Sequence, residues 1–219
     1  MSKPAIQDWG LIDYQLALDQ QLECLETLSF EPDHPGFLIF CSHPPVVTVG
    51  RQTQRDDVFS WPGPIIEVSR GGRATYHGPS QLVVYPILNL KSGRKGRKPQ
   101  EVRGFLRAFE QAIVETLSEY EIKAIGKTPQ KLNDKNFETD ETGVWVGSQK
   151  IASLGIAVKK WITYHGAAIN LDFDAEAYKG LKPCGFSSDT MISVEKLLGK
   201  KIDRREFTEK LGLKLAQLL

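Results

Sequence analysis

Apolar residues recur along this chain at two spacings, and each change of spacing marks a new element. From Asp13 to about Leu28, Tyr14, Leu18, Leu22 and Leu25 fall at intervals of four, four and three. That is one helical face, and Asp13 is placed to cap its start. Gly36 to Cys41 is a short apolar run of strand length; His43-Pro44-Pro45 breaks it, and Val46 to Val49 resumes. Ile65 to Ser69 and Leu82 to Leu88 read as further strands. Pro99 to Tyr120 is the strongest helix, with a broad stripe of Val102, Phe105, Leu106, Phe109, Ala112, Ile113 and Leu117. A strand is expected at Glu121 to Ile125. Gly143 to Val158 reads as a hairpin turning at Gly147-Ser148, and Trp161 to Leu171 as another strand. Ser193 to Leu198 reads as a short helix. Asp203 and Glu206 open the last one, whose face is Phe207, Leu211, Leu215 and Leu218.

Two stretches fall outside this pattern. Arg70 to Gly78 is a polar, glycine-rich segment feeding the Leu82 strand. Gly71 and Gly72 let the backbone come close to a ligand, Arg70 and Arg73 flank them, and Thr75, Tyr76 and His77 add hydroxyl and imidazole groups. The segment reads either as a binding loop or as a structural turn. Lys127 to Thr142 is a polar loop to which the sequence assigns no function.

Length and composition narrow the class. The chain has 219 residues, 41% apolar and 25% charged, which fits one domain over residues 1–219. Lys+Arg is 28 and Asp+Glu is 27, a net charge of +1, which argues against a general nucleic-acid binder. Lys91 to Lys98 is a local exception, read either as a solvated connector or as a landing patch for an acidic partner. No apolar run reaches membrane-span length. The first ten residues do not form a secretory signal. A cytoplasmic, membrane-free protein is therefore expected.

The cysteines are Cys24, Cys41 and Cys184, an odd number without close pairs, so neither a disulfide framework nor a C-x-x-C metal site is expected. Cys24 and Cys41 lie in a helix and a strand and read as packing residues. Cys41 with His43 reads as strand end and turn rather than as a reactive pair. Cys184 differs, because it sits between Pro183 and Gly185 in an irregular stretch where a thiol stays approachable.

Several of these segments together resemble the lipoyl-protein octanoyltransferases. The matches are R-G-G-x-x-T-x-H-G-P-x-Q from Arg70 followed by V-x-Y-P-I, K-I-A-x-x-G-I from Lys150, T-x-H-G-x-A from Thr163, and P-C-G around Cys184. An H-P-P-x-x-T-x-G pattern from His43 fits as well. The resemblance spans about Leu38 to Ser188. It departs at Ser80, where the family more often has glycine, and at Lys182, where asparagine is commoner.

The resemblance implies an α+β fold. This is a mixed, mainly antiparallel sheet packed with helices, like the catalytic domain of biotin and lipoate protein ligases. It implies Cys184 as nucleophile and Lys150 as its catalytic partner, although a lysine at a strand edge is ordinarily a solvent-facing charge. It implies that the acyl group is bound by Arg70, Gly71, Gly72, Arg73, Ala74, Thr75, Tyr76 and His77, by Ser153, Leu154 and Gly155, and by Gly166, Ala167 and Ala168. The last three are small, which suits either a long apolar ligand or tight sheet packing. His77 and His165 read as structural hydrogen-bonding groups ahead of general bases.

The implied reaction moves octanoyl from octanoyl-acyl carrier protein to a lysine of lipoyl domains. The implied acceptors are the 2-oxoacid dehydrogenases and the glycine cleavage H protein. No metal or cofactor is required, since a thioester is already activated. The rivals are an ATP-dependent lipoate ligase of the same fold, an amidotransferase acting between lipoyl-bearing proteins, and a non-catalytic lipoyl-domain binding module.

Overall fold

The computed structural model describes residues 3–91, 93, 97–129 and 140–219. Parts of two sequence features lie outside the described residues: positions 92 and 94–96 of the basic run, and 130–139 of the polar loop.

Among the described residues, ten strands build two sheets, and four α-helices accompany them. The large sheet contains β1 (Ala5–Leu11), β2 (Phe37–Ser42), β6 (Gln81–Ile87), β7 (Ile125–Gly126), β8 (Gly143–Val146), β9 (Gln149–Lys159) and β10 (Ile162–Asn170), in the order β1-β2-β6-β10-β9-β8-β7. Only β1 and β2 run parallel; the other neighbours are antiparallel. The small sheet is β4 (Ile65–Glu67), β3 (Val46–Val49) and β5 (Thr75–His77), in that order. The expected mixed, mainly antiparallel α+β architecture is the one observed.

Strand alternation divides the core between the two faces of the large sheet. Leu38, Phe40, Leu82, Val84, Leu154 and Ile169 face α2 (Val102–Ser118) and α4 (Arg204–Leu218), where Phe105, Phe109, Phe207 and Leu211 cover them. Ile39, Cys41, Val83, Tyr85 and Ala168 belong to a second cluster with α1 (Tyr14–Phe30). A short helix, α3 (Val194–Leu198), precedes α4. Asp13 caps α1, accepting from the N–H of Gln15 and Leu16, and Asp203 caps α4 in the same way. No helix among the described residues is long and apolar enough to cross a membrane.

Four expectations shift. Ala5–Leu11 is a strand that the sequence reading did not contain; it is a mostly exposed edge and so lacks an apolar run. The strand expected at Glu121 to Ile125 is only Ile125–Gly126. Thr75 to His77 is not loop but strand β5, paired with Val46 to Thr48. On α1 the buried face is Tyr14, Ala17, Gln21, Leu25 and Leu28, with a polar residue in its middle.

Of the three small residues on β10, Gly166 is required by the sheet itself. A Cβ there would lie 1.9 Å from the Val84 carbonyl oxygen and 3.1 Å from Pro86 Cδ. Ala167 packs into the α2 side of the core and Ala168 into the α1 side. Gly166→Ala is therefore expected to destabilise the fold by at least the ~1–3 kcal/mol typical of overpacking. The midpoint of urea unfolding would report it; an unchanged midpoint would contradict the close strand approach.

Candidate active site

Between the α1 face of the large sheet and the small sheet lies a narrow pocket enclosing about 410 Å³ of space, part of it open to solvent. It collects residues from separate parts of the chain: Tyr14; Arg70, Thr75 and His77; Val83 and Tyr85; Asp140; Ser153 to Gly155; His165 to Ala168; and Cys184. Residues of the motifs that begin at Arg70, Lys150 and Thr163 and of the P-C-G turn thus meet in one place. Gln81 of the first motif also donates to Asn170 of the strand motif at 2.9 Å, and Tyr178 donates to the same Asn170 oxygen at 2.7 Å.

Cys184 is buried in the single turn Pro183–Gly185, with φ 54° and ψ 22°. A side chain in this left-handed region is unfavourable, and such strain persists only where the surroundings enforce it. Here both sides of the residue are held. Its N–H donates to the Ala74 carbonyl at 2.8 Å, and its carbonyl accepts from the Asp140 N–H at 2.9 Å. The sulfur lies 3.8 Å from Ser153 Oγ.

Lys150 is fully buried, not the solvent-facing charge that a strand-edge lysine usually is. Its Nζ donates to the Asp140 carbonyl at 2.7 Å and sits 5.5 and 5.7 Å from the ring centres of Trp145 and Phe186. Two aromatic faces offset part of the cost of burying the cation. Asp140 therefore touches the Cys184 backbone with its N–H and Lys150 with its carbonyl. Gly143 lies against Lys150; a Cβ there would be 2.6 Å from Cε. The carboxylate of Glu110, buried on α2, accepts from the N–H of Gly143 at 2.9 Å and of Thr128 at 3.1 Å. It ties the two ends of the polar loop together, and burial raises its pKa above the usual carboxylate range.

The two arginines of the first motif differ from one another. The Arg70 guanidinium lines the pocket, but its hydrogen bonds go to the carbonyls of Thr48, Gly71 and Arg73 and to Thr48 Oγ1, at 2.8–3.0 Å. Arg73 turns away from the pocket and forms a buried ion pair with Asp57, whose carbonyl accepts from Lys182 N–H at 2.7 Å. That pair fixes the segment leading into Cys184. Tyr76 also faces away: its hydroxyl donates to Asp174 at 3.2 Å and its ring packs edge-on against Trp61 and Tyr178. Gly71, Gly72 and Ala74 shape the loop without lining the pocket. The Thr75 hydroxyl is buried without a hydrogen-bond partner among the described residues.

At the other end three imidazoles and two phenols are buried together. His43 Nδ1 donates to the Ile12 carbonyl at 2.8 Å, and its Nε2 accepts from the Tyr85 hydroxyl at 2.7 Å. His165 has φ 57°; its N–H donates to Gln21 Oε1 at 2.8 Å. Burial, assisted by the Arg70 charge, pushes the His165 pKa down to about 3. Burial also lowers His43, and lowers His77 well below the ordinary histidine value. Burial raises Tyr14 to about 12. Near neutral pH this end is polar and uncharged.

Sequence reasoning missed Asp57, Glu110, Asp140, Tyr14, Tyr85 and Gln21. Only the Gln21 and Glu110 positions leave a trace, as polar residues within apolar helix faces.

The fold is shared with lipoate and biotin protein ligases of known structure. It superposes on a bipartite lipoate protein ligase from Thermoplasma acidophilum with a TM-score of 0.68 at 14% identity, covering 100% of this chain and 84% of the other. Against the biotin protein ligase of Aquifex aeolicus the TM-score is 0.54 at 14% identity, covering 99% and 69%. The sequence profile of the lipoyl protein ligase A/B catalytic domain matches residues 13–216, and the chain belongs to that family. It is 56% identical to an octanoyltransferase of Bdellovibrio bacteriovorus over 220 residues, 100% of both chains. Within the family the chain is an acyltransferase.

The buried histidines give a pH signature. Their folded pKa values lie below the unfolded one near 6.5, so their contribution to stability is complete above that pH. As pH falls below it, the unfolded chain takes up protons that the folded chain refuses. His165, with a folded value of about 3, is expected to cost about 1 kcal/mol per pH unit there, and His43 and His77 act in the same direction. Urea unfolding at pH 7.5 and 5.5 measures this, and His165→Asn should flatten the dependence; equal slopes would mean that His165 is charged in the fold.

Proposed function

We propose that this acyltransferase moves octanoyl from octanoyl-acyl carrier protein to the target lysine of lipoyl domains through a thioester on Cys184. The acceptors in this reading are the lipoyl domains of 2-oxoacid dehydrogenases and the glycine cleavage H protein. The observation that carries it is Cys184 itself: a strained thiol lining a narrow pocket, with buried Lys150 fixed to the same residue, Asp140.

In the first step the Cys184 thiolate attacks the carbonyl carbon of the donor thioester. The carrier thiolate leaves and takes a proton. In the second step the acceptor amine attacks the enzyme thioester, loses a proton, and Cys184 leaves as thiolate. A cysteine exchanges one thioester for another at little thermodynamic cost. Lys150 stabilises the thiolate when charged and accepts the amine proton when neutral. The unpartnered Thr75 hydroxyl, adjacent in sequence to the Ala74 carbonyl that fixes Cys184, is a donor for the developing oxyanion. Ser153, Gly155 and Ala168 would flank the acyl chain, while the Leu154 side chain packs into the core on the other face of the sheet.

ATP-dependent ligation is the competing chemistry on this fold, and it needs no nucleophilic thiol. Intact-mass spectrometry with octanoyl-acyl carrier protein and no ATP separates the two. The expected result is one octanoyl adduct, absent from Cys184→Ala and discharged by a lipoyl domain. Lys150→Met, which keeps bulk and loses the amine, should slow transfer by roughly 10²-fold or more. An active protein that never carries the adduct and requires ATP would replace this reading with ligation.

A further inference from the structure

We infer that Tyr14, His77 and His165 form a polar stop at the far end of the pocket and limit the acyl chain to about eight carbons. The inference rests on the thioester-transfer reading above and adds the specificity that the reading leaves open.

Sheet register supplies the length. In the β9–β10 ladder Ala168 lies opposite Ser153, and His165 lies opposite Ile156. Ser153 Oγ is the atom beside the Cys184 sulfur. Three residues of strand separate that level from His165, about 10 Å at ~3.3 Å per residue. On the neighbouring strand Val83 is opposite Ala168, and Tyr85 lies two residues further in the direction of His165, on the same face. On the small sheet, Thr75 follows the residue whose carbonyl holds Cys184, and His77 lies two residues beyond. All three walls lead toward one ring cluster, in which Tyr14 contacts both His165 and His77. An extended octanoyl chain measures about 9 Å from carbonyl carbon to methyl, from ordinary carbon–carbon lengths and angles.

The walls and the end differ in kind. Val83, Ala168 and Gly155 border the middle, whereas the end offers a phenol and two imidazoles, all buried. It is also immobile. The Tyr14 ring stacks on His77 at 5.4 Å and tilts against His43 at 5.0 Å. His165 is tied to Gln21 through its N–H, while its Nε2 has no protein partner among the described residues. A longer chain would press hydrocarbon onto these groups and deny them hydrogen bonds, or force packed rings aside. A shorter one leaves apolar wall uncovered.

The test is a competition: equimolar octanoyl-, decanoyl- and dodecanoyl-acyl carrier protein in one tube, with enzyme adducts resolved by intact mass at early times. A ratio of adducts cancels any general loss of activity. The native protein should favour octanoyl over decanoyl by at least about tenfold. His165→Asn shortens the side chain, and asparagine tolerates the left-handed backbone; it should cut that preference at least fivefold. Tyr14→Leu, on a different element, should shift it in the same direction. Octanoyl loading with unchanged preference in both variants would overturn the stop alone. No octanoyl loading by the native chain would remove the transfer reading, and the stop with it.

Discussion

The left-handed backbone at Cys184 is the constraint on which the site depends. A residue with a β-carbon does not hold φ 54° unaided. Two hydrogen bonds impose it, one from the arginine-glycine segment through Ala74 and one from Asp140. Each of these in turn needs its own support. The Ala74 segment is fixed by the buried Arg73–Asp57 pair, and Asp57 also accepts from Lys182 N–H just before the cysteine turn. Asp140 accepts from Lys150 and lies three residues before Gly143, which Glu110 grips from α2. Removing one partner of a buried ion pair strands the other charge and typically costs ~3–5 kcal/mol. The thiol is therefore placed by charges that never touch it, drawn from segments far apart in the chain.

The large sheet does two jobs with one set of strands. Alternation sends Leu82, Val84, Leu154 and Ile169 into a hydrocarbon core under α2 and α4. It sends Val83, Tyr85, Ser153 and Ala168 toward α1 and the small sheet, where the pocket opens. The first face supplies hydrophobic stabilisation, and so frees the second to hold polar and strained groups. His165 departs from simple alternation: with φ 57° it reaches Tyr14 and Gln21 on α1, the side to which its neighbour Tyr164 also belongs. Beside that irregular backbone Gly166 meets the Val84 carbonyl too closely for any side chain.

What the sequence revealed, and what it hid, follows from these interactions. Helices α1, α2 and α4 were legible because each buries one periodic face, and the caps Asp13 and Asp203 carry local chemistry that a sequence displays. The P-C-G turn stood out because Cys184 broke the apolar pattern. Lys150 was placed by resemblance alone, since nothing local distinguishes a lysine lying between Trp145 and Phe186 from one in water. Asp57, Asp140 and Glu110 act through partners 16, 44 and 33 residues away, at Arg73, Cys184 and Gly143. Such long-range pairs leave no periodic signal. Strand β1 was hidden for a different reason: an exposed edge strand buries too little to need an apolar run.

The electrostatics of the pocket are graded from end to end. Lys150, bound to the same Asp140 that holds the Cys184 backbone, is kept dry by one carbonyl and two ring faces. Further along, Arg70 is satisfied by three carbonyls and a hydroxyl. Those dipoles meet its hydrogen-bonding demand without cancelling its charge, which still acts on Tyr14, His77 and His165. For a histidine that field disfavours a second positive charge, in the same direction as burial. Burial keeps the deep imidazoles neutral and the Arg70 charge acts in the same direction; neutral groups can lie against apolar surface at far lower cost than charged ones. The arginine of the first motif reinforces burial at the far end of the pocket, while its own hydrogen bonds hold the loop whose Ala74 carbonyl fixes the Cys184 turn.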